Sequence, residues 1–221
     1  MTRLDLHNQY GHLRGVPLIK VMARVLFRNK CAVLSSFGAE SALLLAMVAK
    51  VDRDLPVFFL NTGKHFPETL SFKEEIIKKL GLKNIIEVRP ESGDLNEDLW
   101  QERPDLCCDL RKKKPLQKII QDKGIKAILT GRKRFQTPER QNLLSIEQDD
   151  QGLFKINPLA FFTEREISVQ LEKVDLPEHP LVKKGYLSIG CEPCTRPVCK
   201  GEDPRKGRWP EKEKTECGIH L

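Results

Sequence analysis

Apolar positions along the chain follow two periods. Leu13, Val16, Ile19, Ala23, Leu26 and Phe27 recur every three or four residues, which predicts an amphipathic helix over 13–28. Cys31 to Ser36 follows as a short apolar run of strand type. The alternation repeats with a helix over 41–51, a strand over 57–61, a helix from Pro67 to Leu80 closed by Gly81, and a strand over 85–88. Beyond these come a basic helical stretch over 109–123 ended by Gly124, strands over 127–129 and 154–156, and a helix opened by the capping pattern Thr163-Glu164-Arg165-Glu166. Strand and helix alternate, so the pattern predicts an α/β fold, a parallel sheet flanked by helices. After about Pro177 the periodicity fades into Pro, Gly, Lys and Cys. We therefore expect a main domain over 1–198 and an irregular, mobile C-terminal segment over 199–221.

Composition narrows the class. At 221 residues and 39% hydrophobic content the chain suits one domain of ordinary size. Its longest apolar run, 42–49, is too short to span a bilayer, which argues against a membrane protein. The amino end carries no apolar leader core, so the expected compartment is the cytoplasm. The net charge of +7 points to an anionic partner. Nucleic acid fits poorly, because aromatic residues make up only 6% and no RNA-module signature is present. Seven cysteines are too few for a disulfide scaffold at this length, and their odd number suits reduced thiols, metal ligation or catalysis.

Two groups of residues carry chemistry. The strand ending at Ser35-Ser36 runs through Phe37-Gly38-Ala39-Glu40 into a helix starting at Ser41, a geometry in which backbone amides, hydroxyls and a helix N-terminus can hold an anion. It lacks the Gly-Lys-Ser/Thr ending of a P-loop, and an ordinary strand-to-helix turn would read the same way. Asn61-Thr62-Gly63 and Thr130-Gly131-Arg132-Lys133-Arg134 also begin where strands end, the place where ligands collect in open α/β sheets. The second group is Cys107-Cys108 with Cys191-Glu192-Pro193-Cys194, four thiols suited to zinc or an iron–sulfur cluster. Adjacent cysteines are awkward for structural zinc, and a thioredoxin-like dithiol belongs early in a βαβ unit rather than in a tail. Cys217 stands apart in the terminal Glu216-Cys217-Gly218-Ile219-His220.

Together these motifs resemble the assimilatory adenylyl-sulfate reductase branch, the iron–sulfur-containing one, of the phosphoadenylyl-sulfate reductase family. The carrying segments are 35–41, Cys107-Cys108 with Arg111-Lys112 and Pro115-Leu116, 155–159, 185–197 and 216–220. The resemblance implies an adenine-nucleotide α-hydrolase-like sheet, a [4Fe–4S] cluster on Cys107, Cys108, Cys191 and Cys194, and Cys217 as nucleophile with His220 nearby. It implies that Cys217 attacks the sulfur of adenylyl sulfate, expels AMP and leaves an S-sulfocysteine that thioredoxin or glutaredoxin reduces to free sulfite. The cluster's implied role is electrostatic and positional, with Lys112 between it and the substrate sulfate. By the same correspondence Ser35, Ser36, Gly38 and Ser41 cradle the phosphate, Thr62 and Gly63 border the adenosine, and Lys133, Arg134, Arg205 and Arg208 supply cations for the departing phosphate. A homo-oligomer in the assimilation of sulfate is also implied, and a phosphoadenylyl-sulfate reductase or dual-substrate enzyme is the alternative.

The chain departs from the family pattern in places. Lysine stands at 133 where a second arginine is common, which removes bidentate oxyanion contact from that position. Asn61 occupies a frequent aspartate position, Pro210 follows Trp209 where more tryptophan is often found, and Cys199 is an additional thiol. Residues 103–140 carry net +8, more than the whole chain, so the basic excess reads as a local field around the cysteine pair and the basic loop.

Overall fold

A computed structural model of the chain describes residues 2–91, 96–210, 212, 214 and 216–219. Its centre is a six-stranded sheet in the order β3-β2-β1-β4-β6-β5, built from β1 (Cys31–Leu34), β2 (Val57–Leu60), β3 (Ile85–Val88), β4 (Ala127–Leu129), β5 (Ile146–Gln148) and β6 (Phe154–Ile156). Five strands run parallel, and β5 pairs antiparallel with β6 at one edge.

Consecutive strand residues point to opposite faces, and here both faces are apolar. Val33, Val57, Phe59, Ala127 and Leu129 join the larger core, which packs against α2 (Gly15–Lys20), α3 (Ser41–Val51), α4 (Pro67–Leu80) and α8 (Glu164–Lys173). Ala32, Phe58, Leu60 and Ile128 face the other way, toward Leu116 and Ile119 of α7 (Lys114–Asp122). Strands buried on both sides read as continuous apolar runs, which is why they are visible in the sequence.

The predicted helices form with altered boundaries. The first begins as α2 and continues as a π-helical turn over Val21–Leu26. Gly81 ends α4 in the left-handed conformation at φ 64°, as its sequence position implies. Thr163 caps α8, accepting the Glu166 amide at 3.2 Å while the Glu166 carboxylate accepts the Thr163 amide at 2.8 Å. The basic stretch is not one α-helix. Preceded by α6 (Pro104–Cys108), it runs as a π-helical turn over Asp109–Lys113 followed by α7. Three short elements have no periodic signal: α1 (Arg3–Tyr10), α5 (Leu99–Glu102) and β5. No helix among the described residues is long and apolar enough to cross a membrane.

Beyond α8 the chain folds back over the carboxyl ends of the strands in short 3₁₀ turns. His179 anchors that return. It is buried, its ring lies 4.8 Å from the Phe72 ring, its Nδ1 accepts the Leu181 amide at 3.2 Å, and its Nε2 therefore donates to the Thr69 hydroxyl at 3.1 Å. Burial holds its pKa down at about 4, with Glu68 opposing only weakly. An unfolded chain binds a proton at this position near pH 6.5 and the folded chain does not, so stability falls as pH drops from about 6.5 to about 4. The expected result is a shallower decline of the urea midpoint over that window in His179→Gln than in the wild type. Equal slopes would contradict it.

Candidate active site

In this strand order β1 lies between β2 and β4, and the chain leaves β1 and β4 in opposite directions. That switch opens a crevice at the carboxyl ends of the strands. A cavity of about 240 Å³ sits there, lined by Ser35, Ser36, Gly38 and Ser41 after β1, Thr62 after β2, Lys133 after β4, Lys112 of the π-turn, and Arg205, Arg208 and Cys217 of the returning tail.

The loop after β1 is held in an unusual shape. Phe37 adopts φ 49°, which bulky residues rarely do, and stays there because its ring is fully buried edge-on against Phe59 at 5.6 Å. The Ser35 hydroxyl accepts the Phe37 amide at 3.2 Å, and the Ser41 hydroxyl donates to the Gly38 carbonyl at 2.6 Å. The loop thus delivers the chain directly into the N-terminus of α3, the positive end of that helix dipole.

Cations crowd the opposite wall. Lys133 is only 2% exposed and pairs with Glu40 at 2.8 Å; burial holds its pKa below the usual lysine value despite that carboxylate. Arg140, in a 3₁₀ turn after the basic loop, reaches both carboxylate oxygens of Glu216 at 2.7 and 2.8 Å, and Arg205 lies 3.4 Å from the same carboxylate. The Arg208 guanidinium stacks on the Trp209 ring at 4.5 Å, and its buried Nε finds no hydrogen-bond partner among the described residues. It lies against Gly190 so closely that a Cβ there would meet its Nη2 at 2.2 Å.

Two predicted binding residues lie outside this lining. Arg134 turns away, donating to the Leu143 carbonyl at 2.8 Å and stacking on Phe161 at 3.9 Å. Gly63, at φ 73°, sits near Arg111. Arg140 lines the cavity without having been anticipated, since nothing in Pro138-Glu139-Arg140 separates it from a surface turn. His220 lies outside the described residues.

The four cysteines approach one another beside the cavity. Cys107 and Cys108 end α6, while Cys191 and Cys194 flank a 3₁₀ turn tied to the loop after β2 by the Glu192 amide on the Lys64 carbonyl at 2.8 Å. Cys108, Cys191, Cys194 and Trp209 form one buried cluster, on which Cys217 and Trp100 pack. All four thiols are buried, and burial raises the pKa of Cys107, Cys108 and Cys194, the last to about 11. Cys191 differs: burial opposes ionisation, but Lys112, the Thr62 hydroxyl 3.3 Å from its sulfur and Arg208 together hold its pKa below the usual thiol value. Lys112 is pushed the other way, its burial penalty outweighed by Cys191, Cys217 and Cys108. Its Nζ lies 4.0 Å from the Cys108 sulfur, and the neighbouring Arg111 donates to the Thr62 carbonyl at 2.8 Å. Cys31 sits apart in the core with burial pushing its pKa to about 12, and Cys199 is exposed. No three His, Cys, Asp or Glu side chains among the described residues close on a common point as one metal ion requires.

Comparison with known proteins gives consistent results. Residues 30–197 match the phosphoadenosine phosphosulfate reductase domain. The chain is 47% identical to the adenosine 5'-phosphosulfate reductase of Mesorhizobium japonicum, over 96% of its own length and 84% of that protein's. It is 44% identical to the protein of that name from a Chelativorans species, over 99% and 90% of the two chains. Among solved structures, the phosphoadenylyl-sulfate reductase of Candida auris, crystallised as a phosphate complex, superposes with a TM-score of 0.75 at 25% identity, covering 88% of this chain and 96% of that one.

The contact between Gly190 and Arg208 yields a direct test. A methyl at 190 must drive the guanidinium off its seat, and because the guanidinium ends a flexible side chain the fold survives. The resemblance makes Arg208 a nucleotide ligand, and on that expectation Gly190→Ala weakens AMP binding about tenfold by calorimetry, with little change in melting temperature. Unchanged affinity would refute the role given to this contact.

Proposed function

The chain belongs to the phosphoadenosine phosphosulfate reductase family, and we propose that its reaction is the thioredoxin-dependent reduction of adenylyl sulfate to sulfite and AMP. One observation carries this reading above all: Cys217, Lys112 and the loop over Ser35–Ser41 line the same cavity, so a thiol, a half-buried cation and an anion-binding turn converge.

The residues divide the work as follows. Ser35, Ser36, Gly38, Ser41 and the start of α3 bind the phosphate, and Thr62 lies toward the nucleoside. Lys112, Arg205 and Arg208 face the phosphosulfate bridge, where negative charge develops as the bond to the leaving oxygen breaks. The Cys217 thiolate attacks the sulfate sulfur, an S–S bond forms, the sulfur–oxygen bond to phosphate breaks, and AMP departs with the electron pair. A protein dithiol then attacks the Cys217 sulfur and releases sulfite; its second thiol resolves the mixed disulfide, so the dithiol loses the two electrons that sulfur gains. Thioredoxin or glutaredoxin in a reducing cytoplasm is the donor proposed, in keeping with seven free cysteines.

The donor set suits a sulfur-liganded group larger than one ion. Cys108, Cys191 and Cys194 cluster together, Cys107 is buried next to Cys108 in α6, and the Lys112 ammonium lies 4.0 Å from the Cys108 sulfur. Cys107, Cys108, Cys191 and Cys194 would hold a [4Fe–4S] cluster, which when bound supplies a fixed charge beside the sulfate site. Lys112 then compensates that charge and orients the sulfate.

Protein purified without oxygen is expected to be brown, absorbing broadly near about 400 nm with about four irons per chain. Colourless protein holding one zinc would overturn the cluster. Incubation with adenylyl sulfate and no reductant should add about 80 Da, one SO₃, to Cys217 and nothing to Cys217→Ser. Labelling of the serine variant would refute the nucleophile, and preferential labelling by the 3'-phosphorylated nucleotide would reassign the substrate.

A further inference from the structure

Two of the cavity's arginines are already engaged by a carboxylate of the chain itself. Glu216, the residue before Cys217, pairs with Arg140 at 2.7 Å and with Arg205 at 3.4 Å. These three side chains are only 12–17% exposed, so their attraction is less screened than that of a surface pair. Arg140 in turn donates to the Gln136 side-chain Oε1 at 2.5 Å, and the Gln136 amide Nε2 donates to Glu40 at 3.0 Å. A continuous polar chain therefore links the phosphate loop to the residue beside the thiol. The other polar ties of the tail are exposed by comparison: Lys214 pairs with Asp105, which is 87% exposed, and Lys212 donates to the Gln101 carbonyl at 2.6 Å on the surface.

Adjacent Cα atoms are fixed about 3.8 Å apart, so holding the Glu216 carboxylate restrains the Cys217 thiol to a small volume beside Lys112. We propose that Glu216 is the positioning residue of Cys217: its ion pairs with Arg140 and Arg205 seat the thiol in the cavity, and breaking them releases it to a protein reductant. This rests on Cys217 being the nucleophile. Because the same arginines line the site of an anionic substrate, seating and substrate binding draw on shared cations.

The test uses the holoprotein and follows N-ethylmaleimide modification of Cys217 by peptide mass mapping, with melting temperature as the folding control. Glu216→Gln is expected to speed modification about tenfold, and Asp105→Asn, which breaks an exposed tie, to change it less than about twofold. Arg140→Gln, which leaves the Arg205 pair, should speed modification by less than Glu216→Gln, and the double variant should react no faster than Glu216→Gln alone, because that change already removes the Arg140 pair. Equal rates in wild type and Glu216→Gln, or additive effects in the double variant, overturn the proposal. The assay needs no substrate, so it judges the seat of the thiol separately from the reaction; failure of adenylyl sulfate to modify Cys217 would overturn the latter.

Discussion

The site depends on a half-buried ammonium. Lys112 is half-buried with its ammonium in the cavity wall, and an ammonium withdrawn from water is stabilised by negative charge beside it. The groups that favour its charged form are cysteines: Cys191 beside the tail's 3₁₀ turn, Cys217 near the end, and Cys108 four residues before it. The dependence is mutual, since Cys191 is brought below its ordinary pKa mainly by that same lysine. Lys112 and Cys191 thus form one electrostatic pair, each favouring the charged form of the other. Changing either member shifts the protonation of the other.

That pair explains why the local basic excess and the cysteines occur together. The π-helical turn over Asp109–Lys113 makes the meeting possible, following the cysteine pair of α6 and preceding α7. Across it Arg111 reaches the Thr62 carbonyl while Lys112 lies by the Cys108 sulfur, so the helix is fastened to the strand end at the same point where Thr62 meets Cys191. Both cysteine pairs are thereby braced against the loop after β2. Wide helical turns of this kind are found often at functional sites, where they re-aim side chains that a regular helix would direct elsewhere.

What the sequence reveals follows from the range of the interactions involved. The central strands are legible because each buries two faces, and α4 and α8 are legible because their caps are local chemistry. The phosphate loop and the four cysteines are carried by short motifs. Three-residue β5 has no room for a period, and the π-turn keeps an ordinary helical spacing of charges, so both escape a reading by pattern. Arg134 shows a different failure. It adjoins Lys133 in sequence, but Lys133 is extended and Arg134 opens a 3₁₀ turn, so the two side chains diverge and only the lysine reaches the cavity. Arg140 enters that cavity from six residues further on, through a turn with no distinguishing pattern.

The departure at 133 gains a physical meaning in this setting. Lysine there is almost fully buried, and its charge is already matched by Glu40. An arginine would need room for a planar fork and would spread its charge beyond that one carboxylate. Arg140 and Arg205 are likewise matched by Glu216, whereas Arg208, from the returning tail, lines the same cavity with its Nε making no hydrogen bond among the described residues. The tail that carries the thiol is thus the tail that carries the cations. A cavity built this way is complete only when the tail is seated, since Arg205, Arg208 and Cys217 all reach its lining from there.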